Sequence, residues 1–132
     1  MDWIKIYGTS FCVFLGLDML WLGLVARNFY KSQIGHLMSD TIVWPAAIIF
    51  YALFVGGLIY FAIHPALVHE NWKKALRIGA LFGFLTYATY DLTNLATLKD
   101  WPVLVTIVDL AWGTFLGGLT SLVSYFILNK FL

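Results

Sequence analysis

The chain has 132 residues, 61% of them hydrophobic and only 11% charged, with a mean hydropathy of +0.85 and a formal net charge of +1. Soluble domains carry about 45–50% apolar and about 25% charged residues, and so small a fold cannot hide this much apolar surface from water. The near-neutral balance removes any electrostatic case for nucleic acid, and the lone Cys12 excludes an intramolecular disulfide.

A helix needs about 20 mostly apolar residues to cross a hydrocarbon core of about 30 Å. In chain order the sequence predicts spans over 6–26, 42–64, 76–98 and 102–128, an all-α transmembrane four-helix bundle forming a single integral membrane domain. The first span ends at Arg27-Asn28 and is too long for a signal-peptide core, so it is expected to be retained. The second opens on Trp44-Pro45, where proline's missing N–H has no helical partner to lose, and is expected to end at His64-Pro65. Residues 27–41 and 65–75 read as loops, and Lys99-Asp100-Trp101 as a tight turn. A barrel would need segments of about ten residues alternating in and out, a pattern the sequence lacks.

Trp3, Trp44, Trp72 and Trp101 fall at span ends, where amphipathic aromatics favour the headgroup zone. Lys5, Lys73, Lys74, Arg77 and Lys130 gather on the side of both termini, against Arg27, Lys31 and Lys99 on the other, so the positive-inside bias puts both termini in the cytoplasm.

The informative feature is three acids within the spans: Asp18, Asp91 and Asp109. Each costs about 2.5–3.5 kcal/mol to insert at mid-membrane. At about 1.5 Å per residue, Asp18 lies about 12 Å, and Asp91 and Asp109 each about 10.5 Å, from the nearer span end. All three therefore share one level. Helical periodicity groups Thr106, Asp109, Gly113, Gly117, Thr120 and Ser124 on one face of the fourth helix. It groups Gly79, Gly83, Tyr87, Tyr90, Asp91 and Asn94 on one side of the third. Small residues four apart let helix backbones approach in lipid, so these faces are expected to meet with their acids inward.

No Lys, Arg or His falls at that depth; Arg27 and Lys99 should snorkel to the surface. Carboxylates without basic neighbours in low dielectric must hold a proton or attract a cation. The expected site comprises Asp18, Asp91 and Asp109, tuned by Asn94, Tyr90 and Tyr51, with Trp21 and Trp112 as walls. It would bind or translocate protons, a cation, or a small cationic or amphipathic ligand.

Two alternatives come from other classes. One is a lipid-modifying membrane enzyme, or an accessory to one, using paired carboxylates of unequal pKa. The other is a structural subunit of a membrane complex whose acids act as inter-helix glue. Tyr90-Asp91 matches half of the intramembrane aspartyl protease signature, but Asp109 follows Ile107-Val108 rather than Gly-x-Gly. His36, His64 and His69 match no zinc spacing, so neither metal nor cofactor is expected. Membrane lipids are the expected surroundings, and a homodimer is one assembly that Gly56-Gly57 and Gly79/Gly83 permit as close-approach faces.

Asp18-x-x-Trp21, Gly56-Gly57 with His64-Pro65-Ala66-Leu67, the run Tyr90-Asp91-Leu92-Thr93-Asn94-Leu95-Ala96-Thr97-Leu98, and Asp109-x-x-Trp112-Gly113 together resemble the domain of unknown function 2177 family. The resemblance covers essentially the whole chain. It implies a bacterial source, inner-membrane residence and a four-helix membrane fold, and carries no activity or catalytic residue. Asp18-x-x-Trp21 and Asp109-x-x-Trp112, on spans of opposite direction, also form a faint inverted repeat.

Overall fold

The computed structural model describes residues 2–131. Asp2 opens the first helix, accepting hydrogen bonds from the Ile4 and Lys5 amides at 3.1 and 3.2 Å. Such a cap satisfies amides that have no partner within the helix. Helix α1 spans Trp3–Leu20 and widens into a π-helical turn over Trp21–Val25. Helix α2, Arg27–Ile34, and a short 3-10 turn, Gly35–Leu37, occupy much of the segment expected as loop.

Helix α3 spans Trp44–Leu58, with Pro45 in its first turn. It does not stop at His64-Pro65. A π-helical turn over Ile59–Ile63 carries it directly into α4, His64–His69. A proline inside a continuous helix loses one bond and crowds the carbonyl four residues back; a wider turn just before it accommodates both effects. The reversal then takes only Glu70, at φ 50°, and Asn71. Asn71 caps α5, Trp72–Thr97, by accepting from the Lys73 and Lys74 amides. A second tight turn, with Asp100 at φ 61°, leads into α6, Val103–Phe131.

Among the described residues the chain is all-α. Three helical stretches, Trp3–Val25, Trp44–His69 and Val103–Phe131, are long and apolar enough to cross a membrane. The expected third span differs. Helix α5 has 26 residues, enough length, but is too polar overall to qualify on composition. Part of that polarity is spent inside the protein: Asp91 is completely buried.

The α5–α6 contact is made backbone against backbone. A methyl group on Gly83 would run into the Gly113 carbonyl, one on Gly117 into the Gly79 carbonyl, and one on Gly79 into Gly117 and Ser121. Tyr87 covers Gly113 one turn further along. In lipid no hydrophobic force drives helices together, so such close van der Waals contact is a main source of association. Gly79 and Gly83, considered for a dimer face, are therefore occupied within the chain. Helix α1 lays Ile6, Ser10, Phe14 and Asp18, four residues apart and all buried, into the bundle. Phe14 meets Tyr51 and Phe54 of α3 at ring distances of 5.2 and 5.4 Å.

Trp3, Trp44 and Trp72 are exposed as expected for interfacial anchors, but Trp101 is buried. Its indole donates to the Thr106 hydroxyl at 3.1 Å, and this bond draws the ring inward. Cys12 is exposed.

Gly83→Ala should destabilise the fold by about 1–3 kcal/mol through overpacking. Gly16→Ala, at a helical position with open space around it, should be neutral or stabilising by up to about 1 kcal/mol. Thermal unfolding in detergent micelles distinguishes the two; equal effects would show that the α5–α6 contact is not tight.

Candidate functional site

The stepwise contact between α5 and α6 sets the site. Beyond Gly83 and Tyr87, the next inward position on α5 is Asp91, and the matching position on α6 is Asp109. The two carboxyl groups are neighbours across the α5–α6 contact. Asp91 is fully buried and has no partner among the ordinary donors of the described residues. Asp109, 7% exposed, accepts a hydrogen bond from the Tyr30 hydroxyl at 2.5 Å.

Tyr30 comes from α2, in the segment expected as loop. The π-helical turn, in which the Ala26 amide donates to the Trp21 carbonyl at 2.8 Å, joins α1 to α2. The Tyr30 hydroxyl also accepts from the Trp21 indole at 3.1 Å, giving a chain Trp21–Tyr30–Asp109. Burial and the Asp109 carboxyl both push the Tyr30 pKa up, so the hydroxyl stays protonated and remains a donor.

Asp18 stands a step apart. It is buried, with the Tyr51 hydroxyl and the Trp112 indole beside its carboxyl. The Trp112 Nε1 does not close a hydrogen bond. Trp21 and Trp112, expected as walls, stack face to face with centroids 4.5 Å apart and planes 8° from parallel. Their two motifs thus cross: Asp18 faces Trp112, while Trp21 reaches Asp109 through Tyr30. Tyr87 sits among these groups, near Asp18, Asp109, Tyr30 and Tyr51.

Of the expected residues, Asp91, Asp109 and Trp21 are joined directly or through one hydroxyl, and Asp18, Tyr51 and Trp112 form an adjoining group. Tyr90 and Asn94 neighbour each other instead, with Tyr90 58% exposed and edge-on to Trp101 at 5.9 Å. Tyr30 and Tyr87 were not among the expected site residues. Spacing alone pointed to Tyr87, four residues past Gly83 on the inward face. Only the Phe29-Tyr30 aromatic pair, in an otherwise polar stretch, marked Tyr30.

No basic side chain is among the partners of the three carboxyls in the described residues. Between α3 and α5 a cleft of about 440 Å³, lined by Phe50, Thr86, Tyr87 and Tyr90, opens beside this cluster, with Tyr87 as the shared wall. Drug-sized ligands occupy pockets of about 300–1,000 Å³.

Residues 3–126 match the family described as "Predicted membrane protein (DUF2177)". The chain belongs to this family. Within the DUF2177 match lie all three carboxyls and the tyrosines around them. No curated protein and no solved structure matches the chain.

Tyr30→Phe removes a hydrogen bond to a carboxyl group and should cost about 1.5–3 kcal/mol of stability. Combined with Asp109→Asn, the two losses should fail to add, because they break one interaction. The raised Tyr30 pKa also fixes a sign. Its contribution is complete below about pH 10, where tyrosine ionises in the unfolded chain, and is lost as pH rises beyond that value. Alkaline unfolding curves of wild type and Tyr30→Phe should converge above it; parallel curves would contradict the assignment.

Proposed function

We propose that the chain is a transporter in which the Asp91–Asp109 pair exchanges a proton for a small amphipathic cation. The observation that carries this reading is the pairing itself: two buried, neighbouring carboxyl groups on facing helices, without a basic partner. Two such groups in low dielectric cannot both ionise, so the pair holds one proton or draws in a positive charge. An arriving cation and the departing proton then serve the same electrostatic need, which couples their movements.

The cleft between α3 and α5 supports entry from the lipid side. Phe50, Thr86, Tyr87 and Tyr90 offer an apolar, aromatic wall for the body of such a ligand, and aromatic faces attract cations. Tyr87 links that wall to Asp18 and Asp109. Asp18, with Tyr51 and Trp112, supplies a second acidic station at the same level. Asn94 and Tyr90 lie at the outer margin, where they would meet the ligand first. Trp21 and Trp112 close the site on the α1 side.

On this reading the protein lies in a bacterial inner membrane with both termini cytoplasmic, as the basic residues favour, and the acids belong to the leaflet away from the cytoplasm. A homodimer would enlarge the interior that one copy offers. The enzymatic alternative shares the paired carboxyls but has no observation of its own in its favour.

Binding of tetraphenylphosphonium, a lipophilic cation, by the purified protein in weakly buffered detergent should release protons. Asp91→Asn and Asp109→Asn should each abolish the release, and Asp2→Asn, at an exposed cap, should not. In liposomes the same probe should move against an imposed proton gradient. Absence of both effects in the wild type would refute transport, and a chemically altered lipid in those vesicles would favour the enzyme.

A further inference from the structure

A second polar level lies in the opposite half of the bundle, toward the chain termini. Ser10 of α1 and Thr120, Ser121 and Ser124 of α6 are all completely buried. None of the four hydroxyls has a hydrogen-bond partner among the described residues. At about 1.5 Å per residue, Thr120 lies about 16 Å along α6 from Asp109, so this level is separate from the carboxyls.

Three of them, Ser10, Thr120 and Ser124, belong together by register. Asp18 stands beside Trp112 in the antiparallel α1–α6 pair. Eight residues back on α1 and eight forward on α6, Ser10 comes level with Thr120. Ser124 lies one turn beyond Thr120 on the same face. Ser121 turns toward α5, where it abuts Gly79.

A hydroxyl on a helix has an easy local partner, the carbonyl four residues earlier. Thr86, Thr89, Thr97 and Thr114 each use it, at 2.7–2.8 Å. The four buried hydroxyls have the same option and do not take it. Their side chains instead point into the interior, where an unpaired polar group is unfavourable. The groups are neutral, which disfavours a bare cation. Each offers both a donor and acceptors, which suits water.

We infer that Ser10, Thr120 and Ser124 enclose a small cluster of ordered water molecules in the terminal half of the bundle. Buried waters typically make two to four hydrogen bonds to otherwise unpaired groups, and this set provides them. Between this level and the carboxyls lie Phe14 and Leu116, both completely buried and level with each other by the same register. They form an apolar layer. The cluster is thus a hydrated station on the far side of an apolar barrier. Its role as a relay rests on the proton-exchange reading above, whereas its hydration does not.

Water-edited solid-state NMR of the full chain in lipid bilayers tests the hydration directly. Magnetisation from water should reach the Thr120 and Ser124 side chains and not Leu116, and the transfer should be lost in Thr120→Val/Ser124→Ala. A dry Thr120 and Ser124 in the wild type, with hydroxyls bonded to their own helix, overturns the inference whatever the carboxyls do. Proton flux in liposomes tests the relay. It should fall severalfold in the double variant while cation-induced proton release in detergent is retained. Hydration with undiminished flux overturns the relay alone. Missing proton release in the wild type would instead overturn the transport reading and leave the hydrated cluster standing.

Discussion

The contact of two helix backbones through glycine governs the rest of this structure. Gly79 and Gly83 on α5, with Gly113 and Gly117 on α6, bring the helices so close that a single methyl group collides with the opposite main chain. Once the register is locked there, neither helix can choose its partners further along its length. Tyr87 must cover Gly113, and Asp91 must meet Asp109. Two groups that each resist leaving water are thereby held together in the interior. Packing dispersion along the stripe and hydrogen bonding around the acids are the terms that offset that penalty.

Aromatic and phenolic groups take the place that basic residues hold in most buried acid clusters. Tyr30 donates to Asp109, and Tyr51 and Trp112 approach Asp18. A phenol stabilises a carboxyl by a hydrogen bond without cancelling its charge, which the proposed exchange of a proton for a cation requires. The stacked Trp21 and Trp112 tie α1 to α6 at the same level, and the π-helical turn starting at Trp21 falls at this point. Such turns are frequent at functional sites.

Much of this was legible in the sequence because it depends on counting alone. Run length gave the membrane helices. A constant helical rise put Asp18, Asp91 and Asp109 at one depth, and periodicity turned the glycines and acids to one face. The illegible parts depended on contacts between distant segments. The stretch after Ala26 is too polar and too short to declare itself as a helix, and α2 is held in part by Tyr30 reaching Asp109, 79 positions away. Trp101 obeyed a single bond to Thr106 rather than the preference of indoles for the interface. The helix through Pro65 survived because a wider turn precedes it, which composition does not announce. Helix α5 shows the converse. Its inward polar residues, Asp91 among them, lower the mean hydropathy of a helix whose 26 residues are long enough to cross a membrane.

The proposed exchange stands or falls on whether Asp91 and Asp109 act as one pair that holds a proton. Infrared spectroscopy of the protein in lipid bilayers reads this without a ligand or an assay of function. A protonated-carboxyl stretch should be present at neutral pH and should change in both Asp91→Asn and Asp109→Asn. A spectrum with no protonated carboxyl, or with one that neither substitution disturbs, would contradict the account.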